Sequence, residues 1–407
     1  MRQIRSGGRF ADPGKVYWID PKRVALHTAQ RSASNNPAHW VFDNIRDRGK
    51  VLGGPWDVDA FPFHELKAVE AIAARIESGT PWRATGFYRE ILAEIRDGRS
   101  PWGCRSASDL DRRCDVVDRL IDSVRRNGYQ ASRDNSSLLG ESDRDPTHTN
   151  ADEVTVNIGR RGEYLFQDGR HRLAIAQLLG TESIPVKVLV RHEEWQTFRD
   201  FLWARARDRT AADQIGRFYQ QPTHPDLQDL PGQYSCADEF ASIRDSLTAT
   251  RGTVLDIGAN LGFFCHSLEA LGFDCVACER DPDMANAATR LRDAEGRHFR
   301  VVSGDILAPE TVRSIGAVPF DIVLALKALH PLVSSDTTRD RFLRFLSELR
   351  VKELYFERPP AGVAIRQAGH RHYSHQELTG LVSAQTGLHR CRLIHRSGVG
   401  RELFKLD

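Results

Sequence analysis

Short apolar runs alternate with longer amphipathic segments through the C-terminal half of the chain. Such runs, rich in β-branched and aromatic residues, lie at 254–257, 273–279, 299–303, 320–326 and 353–357. Continuous apolar runs bounded by turn residues are typical of strands that a parallel sheet buries on both faces. The pattern predicts an α/β fold in which strands alternate with helices.

The first of these strands ends in Asp256 and turns at once into a glycine-rich segment. Gly258, Asn260 and Gly262 form a D-x-G-x-N-x-G pattern, in which the glycines permit a tight turn and a close approach of backbone to ligand. A dinucleotide fold uses G-x-G-x-x-G to seat a pyrophosphate, so no phosphate is expected at this turn. The second strand ends at Glu279, whose carboxylate can accept both hydroxyls of a ribose.

With these motifs, the segment from about Gly252 to the C-terminus resembles the class I S-adenosylmethionine-dependent methyltransferases. Runs at 391–395 and 401–405 fit the antiparallel pair that usually ends the seven-stranded, Rossmann-like sheet of that family. The resemblance implies S-adenosylmethionine as the cofactor and assigns its parts to residues near the strand ends. The implied contacts are Asp256 and the backbone of Gly258 and Asn260, beside Gly262, for the methionine part, Glu279 for the ribose, and Asp305 with Ile306 for the adenine. The alternative is a similar sheet that binds no cofactor.

Two candidate bases follow the fourth and fifth predicted strands. Methyl transfer from a sulfonium needs an aligned acceptor and, for a hydroxyl or ammonium, removal of a proton. His330 and Glu357 lie where the carboxyl ends of these strands would meet the cofactor. Many related methyltransferases have two consecutive histidines here, whereas this chain has His330 followed by Pro331. Each residue has a structural alternative, a capping or packing histidine and a glutamate paired with Arg358 or Lys352.

The 407 residues exceed one core, so a second domain is expected upstream. Strands are predicted at 154–158, 163–168 and 184–190, a helix at 173–180, and further core-facing helices at 65–79, 86–98 and 108–128. The junction of the second strand and its helix carries a cluster suited to phosphate, because backbone N–H groups, a helix dipole and guanidinium groups converge there. This cluster is Asp168, Gly169, Arg170, His171 and Arg172.

The upstream segment, roughly 19–190, resembles the α+β ParB/sulfiredoxin-like fold, whose G-x-x-R junction binds nucleotide phosphates. Sulfiredoxins need a cysteine before the His-Arg pair, and this chain has Arg170 there, so their reductase chemistry is not expected. Free-serine kinases of the fold carry a similar Asp-Gly-x-x-Arg, which keeps phosphoryl transfer open. The structural alternative is that Asp168 caps the helix while the arginines pair locally.

The predicted organisation is a ParB/sulfiredoxin-like domain over 1–208, a linker or lid over 209–235 and a methyltransferase domain over 236–407. The proline-rich stretch 218–231 is expected to be extended. As a linker it has no functional side chains, whereas as a lid it would bring His224, Asp226 and Tyr234 to the pocket.

Composition narrows the function classes. The net charge is +2 and no basic block occurs, which disfavours nucleic acid as a partner. No apolar run is long enough to span a membrane, and the N-terminus lacks a signal peptide, so a cytoplasmic protein without a membrane partner is expected. Seven scattered cysteines do not form a disulfide framework. No metal site is expected: Cys275 and Cys278 lie in a predicted strand, and the 370–375 histidine cluster favours substrate contact over zinc.

The sequence thus predicts an enzyme that methylates a small-molecule or glycan-type acceptor, with an N-terminal domain that recognises a phosphorylated or nucleotide-linked group. The alternative is a nucleotide-binding or phosphoryl-transferring protein whose C-terminal, methyltransferase-like domain is regulatory. Methylation of nucleic acid ranks third, because the chain lacks a basic groove signature.

Overall fold

The structure is a computed structural model that describes residues 12, 14–28, 42–131, 153–207, 218, 220–230, 236–316, 319–333, 335–358, 373–398 and 400–407. For His330, Pro331 and His375 only the backbone is described. The chain divides into two compact units, residues 1–201 and 202–407. The division falls inside a helix, Glu193–Arg207. No helix in the described ranges has both the length and the apolar character needed to cross a membrane.

The first unit combines strands and helices around a mixed sheet. Its strands are β1 (Val16–Ile19), β2 (Leu26–Thr28), β3 (Lys50–Leu52), β4 (Ala60–Pro62), β5 (Val154–Ile158), β6 (Tyr164–Asp168) and β7 (Ile184–His192). Its helices are α1 (Lys67–Ser78), α2 (Gly86–Arg96), α3 (Ala107–Asn127), α4 (Arg170–Leu178) and α5 (Glu193–Arg207), the last of which continues into the second unit. In the described residues the strand order is β1-β7-β5-β6-β2-β4, with β3 also paired to β7.

The predicted helices of this unit are confirmed, and α3 shows why. Its N-cap Ser106 accepts a hydrogen bond from the backbone N–H of Asp109, and Gly128 follows its last turn with a φ of 72°. Leu110, Cys114 and Val117 recur at helical spacing and are buried. The apolar stripe therefore faces the core, as the periodicity predicts.

The second unit alternates helices and strands. Its elements are α6 (Cys236–Ser246), β8 (Thr253–Ile257), α7 (Phe263–Glu269), β9 (Asp274–Glu279), α8 (Pro282–Ala294), β10 (Arg300–Ser303), α9 (Pro309–Ile315), β11 (Ile322–Ala325), α10 (Leu329–Val333), α11 (Asp336–Glu348), β12 (Glu353–Arg358), α12 (His375–Thr386), β13 (Cys391–Arg396) and β14 (Glu402–Leu406). Ser374 and Glu377 form a capping box at the start of α12.

The sheet of the second unit has the strand order β10-β9-β8-β11-β12-β14-β13 over the described residues. The strands from β8 to β12 pair in parallel, whereas β14 pairs antiparallel with both β12 and β13. The expected final hairpin is thus confirmed. Because the chain order reverses between β8 and β11, a crevice is expected outside the carboxyl ends of these two strands.

Both faces of this sheet are covered. Val254, Ala277 and Tyr355 belong to the core on the side of α6 and α7, whereas Leu255 and Val323 belong to the core on the opposite side. Successive strand residues point to opposite faces. By that alternation, Asp256 and Glu357 point to the same face as Val254 and Tyr355, the face covered by α6.

The stretch expected to be extended is instead folded where it is described. Pro225–Leu227 forms a short 3-10 turn, and His224 and Asp226 are fully buried. The backbone N–H of Asp226 donates to Nδ1 of His224 at 3.2 Å. The prolines exclude a regular helix or strand from the described residues of this stretch. The buried side chains of His224 and Asp226 nevertheless accompany a compact turn. Tyr234 lies outside the described residues.

Candidate functional site

The turn after β8 is tight and contains three residues in the left-handed region. Gly258, Asn260 and Gly262 have φ values of 75°, 49° and 78°. The backbone N–H of Gly258 donates to the carbonyl of Cys278 at 2.8 Å. A Cβ on Gly258 would lie 3.2 Å from that of Ala328. Glycine is therefore required at this position both by conformation and by the close approach of a neighbouring turn.

Glu279 ends β9 with its carboxylate directed at this turn. One oxygen accepts from the backbone N–H of Asn260 at 2.7 Å, and the other accepts from that of Asp281 at 2.8 Å. Each carboxylate oxygen keeps a second lone pair. The carboxylate is thus held in one orientation and can still accept two hydroxyl groups.

Asp256 is a buried carboxyl group with little compensation. It is 1% exposed, and its one hydrogen bond from the described residues comes from the Cys265 thiol, with Sγ 3.9 Å from Oδ2. Burial, reinforced by the nearby charge of Glu279, raises the pKa of Asp256 to about 7. A bound cationic group would offset this desolvated charge.

Asp305 and Ile306 follow β10 and lie next to the end of β9. The backbone N–H of Gly304 donates to the carbonyl of Glu279 at 2.8 Å. Oδ1 of Asp305 accepts from the backbone N–H of Leu307, and Ile306 is buried. The predicted cofactor residues are therefore brought to one end of the sheet.

The two predicted bases differ in what can be described. His330 lies in α10, directly after β11, and its side chain is outside the described part. Glu357 lies in β12 with its side chain 2% exposed. Burial raises the pKa of Glu357 to about 7, Lys327 acts in the opposite direction, and Glu239 adds to the rise. Among the described residues Glu357 forms no ion pair with Arg358 or Lys352, the structural alternative, but lies 3.7 Å from Nη1 of Arg401.

Two further charged residues lie beside Glu357, and the sequence analysis missed both. Nζ of Lys327 lies 3.5 Å from Oε2 of Glu239, and both side chains are largely buried. Lys327 has a φ of 56°, a strained conformation for a residue with a long side chain. One signal was available for Glu239: it lies on the same helical face as Cys236 and Ile243, the buried face of α6.

The folded stretch before α6 also reaches the glycine turn. Oε1 of Gln220 accepts from the backbone N–H of Phe263, the first residue of α7, at 3.0 Å. Because Gly262 offers no side chain as the N-cap of that helix, Gln220 supplies the missing acceptor.

Gln220→Ala should therefore lower the free energy of unfolding of the second unit by about 1 kcal/mol, the typical value of a helix cap. Gln220→Glu is the matched control, since it keeps an acceptor at the positive end of the helix. Urea denaturation followed by circular dichroism measures both variants. Equal midpoints for Gln220→Ala and the wild type would show that the cap contributes nothing.

No group of three or more His, Cys, Asp or Glu side chains in the described ranges is arranged to hold a metal ion. Cys275 and Cys278 are free thiols buried in β9. Of the histidine cluster, residues 370–372 and the side chain of His375 lie outside the described part.

In the first unit, the predicted phosphate cluster lies at the turn from β6 to α4. The N-cap of α4 is Gly169, with a φ of 89° and no side-chain cap, so Asp168 does not cap the helix as the structural alternative supposed. The Asp168 carboxylate instead accepts from the side chain of Asn44 and from its neighbour Gly169. Nη2 of Arg172 lies 3.1 Å from where a Cβ on Gly169 would be, so the glycine admits the guanidinium.

The remaining two residues of that cluster are His171 and Arg170. The His171 ring stacks on Trp102, with centroids 4.7 Å apart and an interplanar angle of 18°. Burial, together with Arg170, Arg172 and Arg113, lowers the pKa of His171 to about 3, so the ring is neutral. Burial also lowers the pKa of Arg170. His171 is thus a neutral ring stacked on Trp102, and the cationic groups of the cluster are Arg170 and Arg172.

No protein-family model and no curated protein matches this sequence. Similar solved structures include S-adenosylmethionine-dependent methyltransferases. The bifunctional kinase-methyltransferase WbdD is 20% identical with a TM-score of 0.39, over 49% of this chain and 46% of that chain. A methyltransferase from Clostridium acetobutylicum ATCC 824 is 10% identical with a TM-score of 0.34, over 43% of this chain and 92% of that chain.

A TehB-like methyltransferase from Corynebacterium glutamicum ATCC 13032 is 16% identical with a TM-score of 0.31, over 43% of this chain and 89% of that chain. The chain thus spans less than half of the length of WbdD, and about nine-tenths of the two smaller methyltransferases.

Proposed function

We propose that the second unit is an S-adenosylmethionine-dependent methyltransferase that acts on a small-molecule or glycan-type acceptor. The observation that carries this proposal is the buried, nearly uncompensated carboxyl group of Asp256, beside a glycine turn whose backbone is oriented by Glu279. A cationic ligand with a vicinal diol would satisfy both carboxylates. S-adenosylmethionine combines an ammonium, a sulfonium and a ribose in one molecule.

The residues present fit this cofactor better than a dinucleotide. In the proposal, Asp256 and the backbone of Gly258 and Asn260 hold the methionine part, Glu279 holds the ribose, and Asp305 with Ile306 holds the adenine. Two carboxylates at the turn would repel a pyrophosphate, whereas they attract a cation. The lack of a third glycine at dinucleotide spacing agrees with that charge argument.

When bound, S-adenosylmethionine would supply a methyl group attached to a positively charged sulfur, and that sulfur would leave as a neutral thioether. The protein has to align the acceptor, exclude water and take up a proton. Glu357 is suited to the last task, because its buried carboxyl group has a pKa of about 7 and exchanges a proton near neutral pH. His330, next to the end of β11, remains a second proposed base.

Isothermal titration calorimetry of the full chain tests the proposal. S-adenosylmethionine and its demethylated product should bind, whereas NAD should not. If ATP, ADP or CTP binds and neither sulfur compound does, the protein is instead a nucleotide-binding or phosphoryl-transferring protein with a regulatory second unit. If S-adenosylmethionine binds, incubating the protein with a labelled methyl donor and extracts of the host would identify the acceptor.

A second proposal concerns the first unit, whose ParB/sulfiredoxin-like fold stays a prediction. We propose that the turn from β6 to α4 recognises a phosphate of a nucleotide or nucleotide-linked group. The observation in favour is a helix N-terminus whose N-cap residue, Gly169, has no side chain to cap it and is followed by Arg170 and Arg172. Uncapped N–H groups with adjacent guanidinium groups favour an anion.

Arg172→Gln should lower the affinity for ADP at least about tenfold, the loss expected for one charge-assisted contact. Arg161→Gln, at an exposed position of the same unit, is the control that changes net charge equally. Titration calorimetry on the full-length variants measures both. An equal loss in both variants would indicate non-specific attraction, and no binding to the wild type would end the proposal.

A further inference from the structure

A cluster of buried charges lies on the α6 side of the sheet. Among the described residues, the side chains of Glu239 and Glu357 are each 2% exposed and that of Lys327 is 11% exposed. Lys327 affects the titration of both Asp256 and Glu357, so one lysine lies among three carboxyl groups. Arg401 completes the cluster at its outer side, 3.7 Å from Glu357. Three acids against two cations leave an excess of negative charge when all are ionised.

The two glutamates cannot both be ionised at low cost. Glu239 raises the pKa of Glu357 both by its charge and by a hydrogen bond between the two side chains. Oε2 of each is buried and receives no hydrogen bond from the described residues. An ionised carboxylate only accepts hydrogen bonds, so a bond between the two exists only if one of them carries a proton. Two close carboxylates typically share a proton in this way.

The position of this pair relates it to the predicted methyl donor. Asp256 lies near the carboxyl end of the central strand β8. Lys327 follows β11, the strand that pairs with β8 in parallel. Glu357 lies at the same end of β12, the next strand. The carboxyl ends of these strands line one crevice, so the glutamate pair lies next to the place proposed for the methionine part of the donor.

We propose that Glu239 and Glu357 hold one proton between them and together accept the proton released by the methyl acceptor. This inference rests on the proposed methyltransferase function. Glu357 is the catalytic base, and Glu239 is a positioning residue that sets its protonation. The acceptor is then a nucleophile that carries a proton, a hydroxyl or an ammonium, because only such an acceptor releases a proton to a base.

The step balances as follows. A bond forms from the acceptor oxygen or nitrogen to the methyl carbon, while the bond from that carbon to sulfur breaks. The electron pair of the breaking bond stays on sulfur, which becomes a neutral thioether. The acceptor proton passes to the glutamate pair, which returns it to solvent after the products leave.

Two ligands test the inference without knowledge of the acceptor. Sinefungin has an amine-bearing carbon in place of the methylated sulfur, whereas S-adenosylhomocysteine has a neutral sulfur there. In the wild type, the preference for sinefungin should rise about tenfold between about pH 6 and about pH 8, as the pair loses its proton and attracts the ammonium. Asp256 titrates in the same range, but it would affect both ligands equally and cancel in their ratio.

Glu239→Gln should shift this pH dependence to lower pH, because Glu357 without its acidic neighbour, beside Lys327 and Arg401, ionises more readily. Glu357→Gln should abolish the pH dependence and lower the sinefungin preference about tenfold at about pH 8. Asp238→Asn, an exposed neighbour on α6, is the matched control and should behave as the wild type. Thermal unfolding and retained affinity for S-adenosylhomocysteine confirm that each variant is folded.

One measurement needs no variant. Calorimetry of the wild type in buffers of different ionisation enthalpy should show that sinefungin binding near neutral pH releases more protons than S-adenosylhomocysteine binding. A preference that is flat with pH in the wild type, equal proton release, or a pH dependence that does not shift in Glu239→Gln would overturn the inference. If neither ligand binds, the proposed function fails instead.

Discussion

Glu279→Gln should weaken the binding of S-adenosylmethionine about a hundredfold, the loss expected for two charge-assisted hydrogen bonds to the ribose. Both carboxylate oxygens already accept backbone N–H groups of Asn260 and Asp281. A glutamine amide has one oxygen, and its NH₂ group would face a backbone donor. The variant therefore loses charge, one acceptor and the fixed orientation together. Titration calorimetry measures the affinity.

Asp274→Asn is the matched control for this prediction. Asp274 begins the same strand, β9, but is exposed at the opposite end, so its replacement should leave donor affinity unchanged. Thermal unfolding of both variants separates lost contacts from a disturbed turn. Wild-type affinity in Glu279→Gln would remove Glu279 from the proposed ribose site.

Asp256→Asn should have opposite effects on binding and on stability. Donor affinity should fall about thirtyfold, because a charge-assisted contact to the ammonium is lost. The free energy of unfolding of the second unit should rise by about 2 kcal/mol at about pH 8. The reason is that the pKa of Asp256 is raised from 3.8 to about 7, so the ionised, buried carboxyl group destabilises the unliganded fold.

The sign of the pH dependence follows from this raised pKa. A carboxyl group whose folded-state pKa lies above its unfolded value stabilises the fold at low pH, and that contribution is lost as pH rises through about 7. Glu357 acts in the same direction. The wild type should therefore lose stability between about pH 5 and about pH 8, and Asp256→Asn should lose less. Urea denaturation across this range measures it, and a variant less stable than the wild type at the upper end would contradict the prediction.

The sequence predicted the elements of the second unit well because their signals are local. A β-branched run, closely spaced glycines and an acidic strand end define β8, its turn and β9 without reference to distant residues. Asp281 as the N-cap of α8 was equally predictable, and its side chain accepts from the backbone N–H of Asp283.

The glutamate pair could not be predicted in the same way. Glu239 lies in α6, which precedes β8, the first strand of the second unit. Only the packing of α6 on the sheet brings Glu239 to Glu357. The left-handed conformation of Lys327 likewise has no sequence signal, because tertiary contacts impose it on a residue that disfavours it. Side-chain convergence across elements is a property of packing rather than of periodicity.

In the first unit, the sequence located the junction but not the role of each residue. Asp168 has the residue type of an N-cap, yet Asn44, far away in the chain, engages its carboxylate and Gly169 occupies the cap position. His171 looked equivalent to its arginine neighbours, whereas stacking on Trp102 turns it inward. Such differences depend on partners distant in sequence.

The hydrogen bond from Phe263 to Gln220 has a practical consequence for dividing the chain. A fragment that starts at residue 236 would omit the amide that closes the first turn of α7, and would leave that backbone donor without its partner. A fragment that starts near residue 202, where the two units divide, would retain it. Experiments on the isolated C-terminal half should therefore use the fragment that starts near residue 202. With the shorter fragment, a loss of activity caused by a disturbed glycine turn would be misread as evidence that the protein is not an enzyme.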